Sequence, residues 1–272
     1  MRIKHRFVYR PEYSRITDFL NRHQIQYEFG NPFIIVELFE DNKNFKEFAR
    51  LTKKHKVSRN PPLAVYSQEE LDEAQWLSIR STWRYGYPQP EDDMEYVYTT
   101  YDAANYCESC KYGLVQKESF VLKREPNWGT RNFLMINWVH DELFVSKKSE
   151  SVLRSSDLTG FDIYNVLNKS REPLEGTRQI FVQNYLDAGM LPDSVKRELL
   201  CKKCGSKKIM RNVEICYDKK VFNDIRCDIV KSKECFGEIV CSRLIFITQK
   251  FYKVMTEAKL DRGLECKPVK LI

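Results

Sequence analysis

No run of apolar residues in this 272-residue chain is long enough to cross a bilayer. The opening stretch MRIKHRFVYRPEYSR interleaves charge with apolar residues and lacks the apolar core of a secretory signal, so a cytoplasmic protein is expected. Histidine is scarce: His5, His23, His55 and His140 are the full set, and none sits in a zinc-protease or nucleophile pattern. Neither a glycine-rich phosphate loop nor a nucleophile elbow is present. These absences remove the commonest sequence signs of hydrolytic, nucleotide-driven and membrane-spanning functions.

The chain is 42% hydrophobic and 13% aromatic, enough to bury the core of one or two domains. Its charge is uneven. Residues 205–272 hold 15 Lys+Arg against 9 Asp+Glu, so most of the net +7 lies in the last quarter. That quarter could face an acidic partner or a nucleic acid, but Glu234, Glu238 and Glu257 interrupt it.

The first ninety residues read as a small α/β unit. IKHRFVY, IQYEF and PFIIVELF have the composition of strands. Pro11 suits the first turn of a helix presenting Tyr13, Ile16, Phe19 and Leu20 on one face, and a second helix is expected over residues 44–55. Ser67 and Glu70 form a capping box, with Tyr66 and Leu71 placed as a hydrophobic staple, for a third helix that should carry Leu71, Ala74 and Leu77 into the core. RYGYPQPEDDMEY combines prolines with an acidic run, which places a boundary near residue 90.

Nine cysteines in an expected reducing compartment point to metal or redox chemistry before disulfides. Four of them form two CxxC pairs, Cys107/Cys110 and Cys201/Cys204. Each pair precedes one copy of an internal repeat. Residues 143–166, LFVSKKSESVLRSSDLTGFDIYNV, align with residues 245–269, IFITQKFYKVMTEAKLDRGLECKPV, with one inserted residue near Gly263. Phe144 falls on Phe246, Lys148 on Lys250, Val152 on Val254, Leu158 on Leu260 and Val166 on Val269. Each copy parses as a strand, a helix capped by Ser146 or Thr248, a glycine (Gly160 or Gly263) in the left-handed region, and a second strand. Val152 and Val254 should be buried at equivalent places.

The expected fold is therefore α+β. A small N-terminal α/β unit, 1–90, precedes two tandem repeats, 96–190 and 191–272. Each repeat is a CxxC knuckle plus strand–helix–strand, the two related by a pseudo-twofold axis and joined by one zinc site. Neither pair alone supplies four ligands, whereas Cys107, Cys110, Cys201 and Cys204 together make a closed tetrahedral thiolate set, with structural chemistry only. Two other readings stand beside it: a redox CxxC, which should sit at a helix N-terminus after a strand, and unliganded buried thiols. Cys216, Cys227, Cys235 and Cys241 match no knuckle spacing and read as small core residues, as does Cys266 on a strand. His140, Asp141 and Glu142 in WVHDELF are consecutive, so they should point to alternate faces and form a polar turn.

The paired CxxC motifs, together with HDELFVSKKSESVLRSSDLTGFDIYNV, resemble the bacterial double-CXXCG motif family, and the FVS–helix–Gly–strand segment resembles part of some immunity proteins that neutralise polymorphic toxins. The likeness covers about residues 100–272. Gly205 follows the second pair directly, while the first reads Cys110-Lys111-Tyr112-Gly113. The resemblance implies a zinc-stabilised protein that binds another protein. Three function classes follow: a non-enzymatic protein-binding module, with an immunity or inhibitor protein as its example; a zinc-ribbon-like nucleic-acid binder using the basic C-terminal quarter and aromatics such as Phe251 and Tyr252; and an enzyme with a pocket in the N-terminal unit.

Overall fold

Alternation in RIKHRFVY puts His5, Phe7 and Tyr9 on one face, and that face is buried in β1 (Arg2–Tyr9). In the computed structural model, which describes residues 1–272, β1 opens a compact unit spanning Met1–Glu70. It continues through α1 (Ser14–Arg22), β2 (Glu28–Gly30), β3 (Phe33–Phe39), α2 (Phe45–Lys54), β4 (Ser58–Arg59) and β5 (Leu63–Val65). The antiparallel sheet runs β2-β3-β1-β4, with β5 also paired to β1. Ile16, Phe19 and Leu20 of α1 and Phe48 of α2 close over Phe7, Ile34, Val36 and Leu38. The expected α/β unit is thus present, but it ends sooner than residue 90.

The reason lies after the capping box. That box forms, with Ser67 N donating to Glu70 Oε2 at 2.8 Å and Glu70 N donating to Ser67 Oγ at 3.2 Å. The helix it starts, α3 (Gln68–Glu73), stops after six residues, and Leu77 lies instead on a strand, β6 (Trp76–Ser81). WLSIRS is rich in β-forming residues, and every position but Arg80 is buried, so sheet burial overrides the helical period. β6 belongs to the second compact unit, Leu71–Ile272.

That unit is mixed α+β. After β6 come α4 (Tyr96–Thr100), β7 (Tyr101–Asp102), β8 (Val115–Gln116), β9 (Phe133–Leu134), β10 (Leu143–Ser146), α5 (Lys147–Ser155), β11 (Phe161–Leu167), β12 (Pro173–Val182) and β13 (Tyr185–Leu186). The chain then forms β14 (Val195–Leu200), β15 (Lys207–Arg211), β16 (Cys216–Tyr217), α6 (Lys220–Asn223), β17 (Ile229–Ser232), β18 (Ile245–Thr248), α7 (Gln249–Glu257), β19 (Leu264–Pro268) and β20 (Lys270–Leu271). Two larger sheets result, β11-β12-β10-β9 and β13-β17-β18-β6-β19.

The two sheets share one pairing scheme. β12 lies antiparallel between β10 and β11, as β6 lies between β18 and β19. Leu143 and Ile163 both face Ile180, and Ile245 and Cys266 both face Ile79. On the outer side Phe144 faces Leu134 and Phe246 faces Val230. The helix caps match as well. Ser146 and Thr248 share φ −70° and ψ 162°, and their hydroxyls accept from Ser149 N and Phe251 N. Gly160 and Gly263 both take the left-handed backbone, at φ +99° and +96°.

Burial repeats the pattern. Leu143, Val145, Leu153, Leu158 and Ile180 share one core with Ile245, Ile247, Met255, Leu260 and Ile79. Phe144 and Val166 lead a second cluster, and Phe246 and Val269 a third. LFVS is buried on both faces and IFIT nearly so, which explains their unbroken apolar runs. Val152 and Val254 sit at matching half-buried places, with the next residues, Leu153 and Met255, fully buried. Phe251 and Tyr252 are also in the core, 0% and 5% exposed, so the aromatics expected to stack on nucleic-acid bases are packing groups.

Candidate metal centre

Each CxxC pair is a tight turn of one shape. Cys107 N donates to Tyr112 O at 2.8 Å and Lys111 N to Cys107 O at 2.7 Å; Cys201 N donates to Ser206 O and Gly205 N to Cys201 O, both at 2.9 Å. The residue after each second cysteine is left-handed, Lys111 at φ +61° and Gly205 at φ +74°. The sequence difference between CxxCK and CxxCG therefore leaves the backbone path unchanged, with Lys111 held where glycine is the easier occupant.

The two knuckles meet. Cys107 Sγ lies 3.9 Å from Cys201 Sγ and Cys110 Sγ 3.5 Å from Cys204 Sγ, across 94 residues of chain in each case. All four sulfurs fall within 4.8 Å of one another. A tetrahedral thiolate site with metal–sulfur bonds of about 2.3 Å has edges of about 3.8 Å, so the cluster can hold one metal ion. The first pair is buried, Cys201 is half-buried and Cys204 is exposed. Burial pushes the Cys110 thiol up to about 12, whereas the Ser206 hydroxyl and amide hold Cys204 down at about 6, and the amides of Cys204 and Lys203 lower Cys201. The second knuckle is thus the readier source of thiolate.

These turns do not open helices: Cys201–Cys204 joins β14 to β15, and Cys107–Cys110 lies between the paired strands β7 and β8. The shared cluster of all four sulfurs and the lack of a helix opening at either pair depart from the arrangement a redox CxxC requires.

Lys208 on β15 sits against this cluster. It is 4% exposed, and its Nζ donates to Cys110 O at 3.2 Å and Glu238 O at 2.7 Å. Four thiolates on a divalent ion carry a net charge of −2, and Lys208 places a cation beside them. Nothing in LCKKCGSKK distinguishes Lys208 from Lys207, because the difference is which face of β15 each occupies.

The remaining cysteines divide. Cys216 contacts Glu214, Cys227 contacts Asn184 and the Ile229 carbonyl, and Cys266 is free. Cys235 and Cys241, expected as separate core residues, instead form a disulfide. They were illegible as a pair because a reducing compartment argues against such bonds and their spacing marks no motif. The bond closes the loop carrying Glu238, which in turn reaches Lys208 and, at 2.9 Å, Arg197 of β14.

His140, Asp141 and Glu142 go separate ways. Glu142 and Lys231 form a buried ion pair, 7% and 4% exposed, and Glu142 also accepts from Gln179 Nε2 at 3.0 Å. Burial pushes the Glu142 carboxyl up, and Lys231 opposes it. Asp141 accepts from Arg243 N at 3.2 Å, and His140 is lowered by burial and by Arg84. In the Met1–Glu70 unit, His5 Nε2 lies 2.6 Å from Glu40 while Nδ1 accepts from Arg59 Nε at 3.0 Å, a fully engaged core histidine. No helix of the chain is long and apolar enough to cross a membrane. A scan against protein-family models finds no match to this chain, and a search of curated proteins finds none either.

Proposed function

We propose that this chain is a non-enzymatic, zinc-stabilised protein that binds a macromolecule, most simply another protein, in the manner of an inhibitor or immunity protein. The observation that carries the reading is the convergence of four cysteines from two like-folded segments. Four thiolates leave a zinc ion no open position for water or substrate, so its work is structural. On this reading residues 71–272 are two copies of one module, related by a pseudo-twofold axis, each lending its first strand, β6 or β12, to the centre of the other's sheet. The zinc ties the copies at a second point.

The partner surface we favour holds Tyr87 and Trp138, both 41% exposed with ring centroids 4.6 Å apart. Paired exposed aromatics of this kind anchor protein interfaces. A cytoplasmic location suits the seven free thiols, and the Cys235–Cys241 bond is the feature of opposite sign. A nucleic-acid reading has one specific support, exposed Lys202, Lys203 and Lys207 around the second knuckle.

The test is capture of partners from the source cell by the purified full chain, compared with the Tyr87→Ala/Trp138→Ala variant, alongside titration with random-sequence DNA and RNA. Loss of a stoichiometric protein partner in the variant supports the proposal. Nucleic-acid binding that falls steeply with salt, with no protein captured, would replace it.

A further inference from the structure

A cavity of about 190 Å³ opens on the face of β6, β18 and β19 and is bordered by Val240 and Ser242 at the end of the disulfide loop. Five cationic side chains line it: Arg80, Arg84, Arg211, Arg243 and Lys267. The single lining carboxylate, Glu265, is already engaged, in contact with Arg80 and 3.4 Å from Lys267. Arg243 leans on Asp141 at 3.6 Å, yet its Nε is buried without a hydrogen-bond partner, and Arg84 makes no ion pair. Lys267 is 8% exposed, and burial lowers its pKa, with Arg211 and Arg80 adding to the effect against Glu265. Like charges are held together here in a partly dry space.

The positions equivalent to these around β12 carry different side chains. Arg80 faces Glu265 as Phe181 faces Asp162, and Lys267 faces Ser78 as Tyr164 faces Gln179. Arg84 bridges Met135 as Tyr185 pairs with Lys231. Where the first pocket has Arg80, Lys267 and Arg84, its counterpart therefore has Phe181, Tyr164 and Tyr185, with the Tyr164 and Phe181 rings stacked at 4.5 Å. The same pairing pattern thus accommodates aromatics in place of these cations.

We propose that this cavity is a binding site for a phosphate group, either inorganic phosphate or the terminal phosphate of a small metabolite. Guanidinium forks match phosphate oxygens two at a time, and Lys267 adds a point charge from the floor. The volume is below the roughly 300–1,000 Å³ of pockets that enclose drug-sized ligands, so it takes the anionic group and leaves any remainder outside. This site stands apart from the four cysteines and does not depend on the proposed partner.

Calorimetric titration of the full chain at constant ionic strength tests it, with inorganic phosphate and ribose 5-phosphate as separate arms and chloride as the control. Saturable one-to-one binding is expected, roughly tenfold weaker in Arg84→Gln and restored in part by Arg84→Lys. Arg84 is exposed, so both variants should fold, and Tyr164→Phe on the other sheet should leave affinity unchanged. Tighter binding of one arm identifies the source of the phosphate. Absence of saturation in both arms, or equal affinity in Arg84→Gln, overturns the proposal, and so does binding of a short oligonucleotide where neither small ligand binds.

Discussion

If the four cysteines hold a metal, as proposed, removing it should unfold the second compact unit selectively. A metal held by the cysteines that meet across 94 residues would act as a cross-link, and in the chain-entropy picture a closed loop of that length stabilises by about 4–5 kcal/mol. Metal binding adds its own coupling to folding, because the apparent free energy of a structural zinc site, roughly 10–16 kcal/mol, rivals the whole stability of a domain at about 5–15 kcal/mol. For a unit the size of Leu71–Ile272, each kcal/mol moves the midpoint by about 2–4 °C, so loss of the cross-link alone lowers Tm by roughly 10–20 °C. Met1–Glu70 contains no cysteine, and its transition should stay in place. The assay is scanning calorimetry of the zinc-loaded chain, the chelated chain and Cys201→Ser, with zinc content measured by elemental analysis. A stoichiometric metal that leaves Tm unchanged on removal, or a purified chain that binds no metal, would refute the reasoning.

Other perturbations separate parts of the site. Lys208→Met should cost about 1–3 kcal/mol, since it takes the donor from two carbonyls, that of Cys110 buried, and should speed zinc transfer to a chromophoric chelator; equal transfer rates would remove its proposed role beside the thiolates. Lys231→Met alone should destabilise by about 3–5 kcal/mol by stranding Glu142, whereas Lys231→Met with Glu142→Leu should recover most of it in urea melts. Gly160→Ala should cost more than Gly263→Ala: both are left-handed, but a Cβ at Gly160 would lie 2.6 Å from Ile229 O, while the nearest atom at Gly263 is 3.7 Å away.

Local signals in the sequence proved readable where one segment decides its own shape. The Ser67/Glu70 box, the Ser146 and Thr248 caps and the glycines at 160 and 263 each depend on neighbours a few residues away. The cysteine cluster was legible for a different reason: two like segments implied a paired site before any contact was known. What escaped were features set by partners distant in the chain. Leu77 kept a helical spacing from Leu71 and Ala74, yet its burial in β6 depends on β18 and β19, more than 160 residues later. Lys208 and the cations around Lys267 draw their character from burial, which no local pattern encodes, and Phe251 and Tyr252 looked available only because the helix face they occupy was unknown.

The placement of β6 leads to a test of how the second unit holds together. If β6 were the tail of an N-terminal domain ending near residue 90, a fragment of residues 91–272 would retain both CxxC pairs and fold. In the structure β6 is instead the strand between β18 and β19, hydrogen-bonded on both sides. Deleting it uncovers two edges at the centre of a sheet and removes Trp76, Leu77 and Ile79, all less than 9% exposed. At about 1.5–3 kcal/mol for each large apolar side chain, the loss is roughly 5–9 kcal/mol, comparable to the stability of a whole domain. Residues 71–272 should therefore melt cooperatively and bind one zinc, while residues 91–272 should show no cooperative transition even with all four cysteines present. Near-identical melts and zinc affinities for the two fragments would mean that β6 is dispensable, and the exchange of central strands between the two halves would have to be abandoned.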